Sequence, residues 1–190
     1  MMSLKEMTEA LEYMRNDSAI KNKKGIAFIA ASIFIWAAIL GVYLLPIPQE
    51  KKNLYTWFAV AFLMPIAFLI TKLLGLNLQN NDNPLNKLGF LFTLNEILYI
   101  LIVCWVYSAV PEKMLMILAM IFGGHLLPFG WLYKSKSYMY SSVIVTIGVL
   151  VIGCTCSPDI VALFMLLFET VFTGCLFIEN KKLMQETQSE

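Results

Sequence analysis

The chain alternates between long apolar runs and short polar interruptions. Six runs are long enough to cross a bilayer as helices, at 26–45, 54–74, 88–110, 114–133, 138–156 and 160–178. A helix needs ~20 apolar residues to span ~30 Å of hydrocarbon. The apolar positions are consecutive rather than alternating, which excludes a transmembrane barrel. Every backbone group must be satisfied internally in lipid, so the pattern predicts helices. The expected class is all-α: a polytopic bundle of six transmembrane helices.

A seventh element precedes the bundle. In "SLKEMTEALEYMR", Ser3 and Glu6 have capping-box spacing, and Leu4, Met7, Leu11 and Met14 recur at helical intervals. This pattern predicts an amphipathic helix on the membrane surface, or a contact helix through which residues 3–15 meet a protein partner. The chain then divides into a segment at 1–24, one transmembrane domain at 25–180 and a polar, frayed tail at 181–190. The first run follows a charged segment and has no small-x-small site behind it, so it reads as a retained span and not a cleaved signal. The polar stretch 77–87 reads as the one sizeable loop.

Composition agrees with a lipid solvent. Hydrophobic residues make up 59% of 190, charged residues 14%, and the mean hydropathy is +0.72. A soluble domain carries about 25% charged residues. The net charge of +1 is unsuited to nucleic acid. Eleven of the fourteen basic residues fall on the side that holds both termini; only Lys51, Lys52 and Lys113 fall on the other. The positive-inside bias places both termini in the cytoplasm, in a cell membrane. Aromatic residues mark the span ends: Tyr55, Trp57, Trp105 and Tyr107 outside, Trp131, Tyr133, Tyr138 and Tyr140 inside. Trp36 is mid-span and reads as a packed core residue. Cys104, Cys154, Cys156 and Cys175 read as small buried hydrophobes.

Candidate chemistry is confined to ionisable residues within the spans: Glu96, His125 and Glu169, with Asn95 beside the first. Such residues are expensive in lipid and mark sites by default. Glu96 lies nine residues from Lys87, and His125 nine residues from Lys134. At ~1.5 Å per residue both are ~13–14 Å from the same membrane face. A three-residue turn makes the third and fourth spans antiparallel neighbours, so the two side chains can meet. Glu169 is also near mid-depth and joins them if the sixth span packs there. The cluster reads either as structural glue or as a proton or solute site. The latter fits a small transporter; the alternative is a non-catalytic subunit, sensor or immunity-type interaction protein. The spans divide as three plus three, and the third of each half carries one mid-depth glutamate, as inverted repeats would.

No catalytic set, metal site or cofactor is expected. One histidine with two glutamates is barely a zinc set, and only if the sixth span is adjacent; neither Gly-x-Ser-x-Gly nor His-Glu-x-x-His occurs. Around His125, Gly123 suits close helix packing, as do Ala119 and Gly130. Pro128 removes the helical partner of the Gly124 carbonyl, predicting a kink and a free acceptor beside the histidine. Pro65 predicts a similar break in the second span. The lipid bilayer is the expected partner, with a homodimer enclosing any path.

"NPLNKL" at 83–88, Pro111 and "GGHLLPFGWLY" at 123–133 resemble a bacterial family of small multi-pass membrane proteins, a domain of unknown function. Gly123, His125, Leu127, Pro128, Phe129, Leu132 and Tyr133 match its Gly-Ala-His-Tyr-Leu-Pro-Phe-x-x-Leu-Tyr signature. Gly25 and Trp36 resemble its first helix. Gly124, Leu126 and the "KSK" at 134–136 depart from it. The resemblance implies a membrane protein and supplies no mechanism.

Overall fold

The computed structural model describes residues 3–75 and 83–189. Among them are eight α-helices and no strand: α1 Leu4–Lys21, α2 Ile26–Leu44, α3 Gln49–Ala61, α4 Leu63–Leu73, α5 Pro84–Ala109, α6 Met114–Leu132, α7 Lys136–Thr155 and α8 Pro158–Ser189. Six stretches are long and apolar enough to cross a membrane, with α3 and α4 forming one of them. This is the architecture of a multi-pass membrane protein. Most of the expected 77–87 loop, residues 77–82, lies outside the described residues.

Prolines and caps set the boundaries. Pro65 has no N–H to give the Ala61 carbonyl, and the second span breaks there into α3 and α4. At Pro128, where a kink is expected, α6 is not interrupted and runs on as one helix to Leu132. Proline is tolerated within membrane helices because neighbouring groups re-satisfy the backbone. Asn83 caps α5, its side chain accepting from Leu85 N–H, with Pro84 in the first turn. Ser135 caps α7 in the same way. The second span also starts earlier than hydropathy suggests, at Gln49, because α3 opens with the polar turn Gln49–Lys52. The tail expected to fray instead continues α8 to Ser189.

The core lies between α2, α6, α7 and α8, around Trp36, Ile39, Leu115, Val145, Val149 and Met165. Trp36 packs edge-on to Phe122, the core role its mid-span position suggests. Tight contact between α6 and α7 depends on glycine. A Cβ on Gly123 would lie 2.6 Å from Val145 Cγ1, and one on Gly130 would lie 3.1 Å from the Met139 backbone nitrogen. Gly124, by contrast, faces open space. The adjacent glycines thus have separate jobs: Gly123 lets two helices approach, and Gly124 keeps a space empty.

Polar clasps close each end of the bundle. At one end, Lys23, Lys24 and Gly25 all have left-handed backbone angles, with φ 43°, 49° and 67°. The non-glycine pair costs ~1–2 kcal/mol per residue, and the neighbours hold it. Lys24 Nζ lies 2.8 Å from Glu179 Oε2. Tyr138 O–H donates to the Lys24 carbonyl, and Asn180 Nδ2–H to that of Lys23. Glu179 also accepts from Ser135 and Ser137. At the other end, Lys113 Nζ donates to the Gly153 carbonyl, and Asn53 Nδ2–H to that of Pro111.

The capping box of α1 is present. The helix docks through polar contacts: Arg15 donates to the Trp131 carbonyl, and Asn83 donates to the Met14 carbonyl and Asp17. Lys134 Nζ sits 2.7 Å from Glu12 Oε2. That hydrogen bond, with help from Arg15, holds the Glu12 carboxyl below its ordinary range.

Two expectations about exposure change. Tyr133 and Tyr138 are buried inside the bundle and not placed on a belt, because the clasp uses the Tyr138 hydroxyl. The four cysteines are free and lie on the outer surface; a small apolar side chain suits a lipid-facing wall as well as a core.

Ala at Gly123 is expected to lower thermal stability by about 1–3 kcal/mol, the usual range for overpacking against a stiff β-branched neighbour. Ala at Gly124 is expected to stay within about 0.5 kcal/mol of the natural protein. Parallel melting curves of the two variants in one detergent check the division of labour.

Candidate functional site

The structure brings Glu96 and His125 together. Glu96 is on α5 and His125 on α6, with Glu96 Oε1 3.3 Å from His125 Nδ1. The short Pro111–Lys113 turn fixes the antiparallel register that puts both side chains at one level. The second partner of the ring is unexpected. Nδ1 is 2.6 Å from the Phe122 carbonyl oxygen, within its own helix, and the Gly124 carbonyl is not used. A carbonyl only accepts, so Nδ1 carries a hydrogen. Phe122 and Phe129 meet the imidazole edge-on, at centroid distances of 5.2 and 5.8 Å, and fix its plane. The hydrogen on Nδ1 and the aromatic walls leave Nε2 as the variable atom. Among the described residues Nε2 has no hydrogen-bond partner.

His125 opens onto a groove of about 450 Å³ between α5, α6 and α7. Its apolar walls include Phe92, Ile102, Met120 and Pro128. Its polar groups are Asn95, Tyr99, His125 and Thr146, and Gly124 leaves its floor open. Asn95 is exposed on the outside of α5. Thr146 Oγ1 is buried and lacks a hydrogen-bond partner. Sequence reasoning missed Thr146. A threonine hydroxyl in a span normally bonds its own helix backbone, so composition gives no sign that this one does not.

Glu169 does not join this pair. It is fully buried on α8, and its partner is Ser32 on α2, with Oε2 2.6 Å from Ser32 Oγ. The reason is packing: α8 lies against α2 and α7, whereas Glu96 and His125 link α5 to α6. Ser32 Oγ is also 2.7 Å from the Ile29 carbonyl. A hydroxyl has one hydrogen, and a carbonyl can only accept. Ser32 therefore gives its one hydrogen either to the Glu169 carboxyl or to the Ile29 carbonyl. Glu169 Oε1 has no partner among the described residues. Those residues also contain no group of three or more His, Cys, Asp or Glu side chains placed to hold a metal.

The two carboxyls nonetheless occupy reciprocal places. Glu96 follows the opening proline of α5 by twelve residues, and Glu169 follows that of α8 by eleven. Each lies on the third span of its half, and each meets the first span of the other half.

Two outcomes follow. Gln at Glu169 retains a polar partner for Ser32 and is expected to cost under about 1 kcal/mol, whereas Leu removes that partner, leaving Ser32 only the Ile29 carbonyl, and costs about 0.5–1.5 kcal/mol more. In a double-mutant cycle, Glu96→Gln and His125→Ala are expected to show coupling of at least about 0.5 kcal/mol in thermal stability. Strict additivity there would deny energetic contact between the pair.

No curated protein and no solved structure matches the chain. A family model described as "Family of unknown function (DUF7010)" matches residues 11–179. That match takes in the first five membrane-crossing stretches, most of the sixth and both carboxyl pairs, and the chain belongs to this family.

Proposed function

We propose that the protein is a small membrane transporter or proton- and solute-binding protein whose working centre is the Glu96–His125 pair and its groove. The observation that carries this reading is the 3.3 Å approach of a carboxylate and an imidazole at mid-depth, beside a groove of about 450 Å³. A pair serving only as glue has no need of an adjoining space kept open by Gly124. The reciprocal carboxyl positions support two related halves with opposite orientation, the plan used by many secondary transporters. On this reading Asn95 lines the approach, Gly123 and Pro65 shape the helices, and a homodimer would close the path. The protein sits in the cell membrane with both termini cytoplasmic.

A second reading has a specific observation of its own. Leu4 and Met7 are exposed on α1, while Leu11 and Met14, on the same stripe, are half-buried. An open apolar end on a docked helix suits a membrane surface or a partner protein. On that reading the chain is a subunit, sensor or immunity-type factor.

Proteoliposomes separate the two. Under an imposed membrane potential, the natural protein is expected to pass protons, reported by an internal pH dye. Glu96→Gln is expected to cut the flux at least about tenfold, the range for losing one positioned proton-transfer group. Tight vesicles containing folded protein would reject proton transport. Orientation has its own check: an exterior-active reporter fused after Glu190 is expected to stay silent.

A further inference from the structure

The groove beside His125 also specifies what it holds. Its lining residues all belong to apolar spans: Phe92, Asn95, Tyr99 and Ile102 on α5, Ile117 to Pro128 on α6, and Thr146 on α7. None carries a permanent charge, and none lies near the polar clasps at the bundle ends. Its open side lies on the outer surface of the bundle, where Asn95 and Tyr99 of α5 and Ile147 beside Thr146 are exposed. A ligand reaching it therefore comes sideways, from the hydrocarbon, and must be soluble there.

The polar groups define the head of that ligand. The Nδ1 hydrogen faces the Phe122 carbonyl, so the neutral imidazole presents a bare Nε2 lone pair, an acceptor. The exposed Asn95 amide has two hydrogens to give, while Thr146 Oγ1 is enclosed against Gly123. Hydrocarbon offers no water to satisfy any of them. A neutral hydroxyl is the simplest lipid-soluble group that gives a hydrogen to Nε2 and also accepts from an amide. The volume of about 450 Å³ is within the range of small-molecule pockets, ~300–1,000 Å³.

We propose that the α5–α6–α7 groove binds a bilayer-dissolved lipophile bearing one neutral hydroxyl, the hydroxyl donating to His125 Nε2 and accepting from Asn95. This rests on the groove being the working centre and adds the ligand class. Glu96 acts as a positioning residue: its carboxylate at 3.3 Å helps hold the Nδ1 hydrogen in place, and with it the acceptor character of Nε2.

The test uses the full-length protein in lipid nanodiscs and two photoreactive probes. One is a long-chain alcohol with a mid-chain diazirine; the other is its methyl ether, identical but without the hydroxyl hydrogen. The alcohol is expected to label groove residues saturably, three- to tenfold better than the ether, the worth of one hydrogen bond. His125→Phe, which keeps an aromatic ring, is expected to erase the preference. Gly124→Leu fills the floor and is expected to abolish groove labelling by both probes. Equal labelling by alcohol and ether in the natural protein overturns the proposal, as does groove labelling unchanged in Gly124→Leu. So does absent labelling together with Tyr99→Cys crosslinks between two copies, which would make the groove a helix interface. Loss of the hydroxyl preference with proton flux still dependent on Glu96 would sink the ligand class and spare the working centre. The reverse pattern would spare the ligand and sink the transport reading.

Discussion

A bilayer interior contains no water, so a polar group placed there must find its partner within the chain or do without. Everything distinctive about this protein follows from how that constraint is met. At the bundle ends it is met in full: Glu179 gathers Lys24, Ser135 and Ser137, and Asn53 and Lys113 bond carbonyls. At mid-depth it is met unevenly. Ser32 lies between Glu169 and the Ile29 carbonyl, while His125 uses one ring nitrogen and leaves the other bare. A protein selected only for stability would pair these groups as fully as those at the ends. Unpartnered atoms occur in both places, Glu169 Oε1 and Thr173 Oγ1 being on α8; it is the open space lined by His125 between α5, α6 and α7 that makes the groove and not the Ser32 pair the chosen working centre.

Close approach of α6 and α7 is the mechanical counterpart. Gly123, Gly130 and Gly153 remove side chains where those helices touch. In lipid, association rests on packing contacts and interhelical polar bonds, since hydrocarbon solvates leucine as well as another helix does. The pair therefore forms a firm wall, against which His125 is held by Phe122 and Phe129. α5 differs. Most of its surface is exposed, and its contacts are with α6 and, at one tip, α1. Glu96 thus sits on the span with the smallest buried share, beside a histidine held between two rings.

What was legible in the sequence was what depends on counting. Span lengths, the break at Pro65 and the level shared by Glu96 and His125 all follow from residue number, because helix rise is constant and a three-residue turn leaves little freedom in register. What was illegible depends on which faces meet. The serine that holds Glu169 lies 137 residues away, and no spacing rule selects Ser32 over other hydroxyls on other spans. The same limit explains Tyr133 and Tyr138. Their position at a span end fits an interfacial belt, but the left-handed turn at Lys23–Gly25 needs hydrogen bonds and draws Tyr138 inward. Gly123 and Gly124 are adjacent and chemically identical. Only their 100° separation around α6, resolved against α7, tells a packing glycine from one that keeps a groove open.

The reciprocal carboxyls give the two halves a relation that sequence comparison of the halves does not. A carboxyl on the third span of each half reaching the first span of the other is the pattern a two-fold axis in the membrane plane would produce, since such an axis would exchange the α5–α6 contact with the α2–α8 contact. Exact symmetry would give both carboxyls the same partner. Here one meets histidine beside a groove, and the other meets serine in a closed core with no such space around it. If the halves are related, the chemistry has been retained on one side of the axis and reduced to a fastening on the other. The fastening joins α2 to α8, and the proton-bearing pair joins α6 to α5, the span with the smallest buried share. The asymmetry of the two sites thus coincides with the asymmetry of the packing.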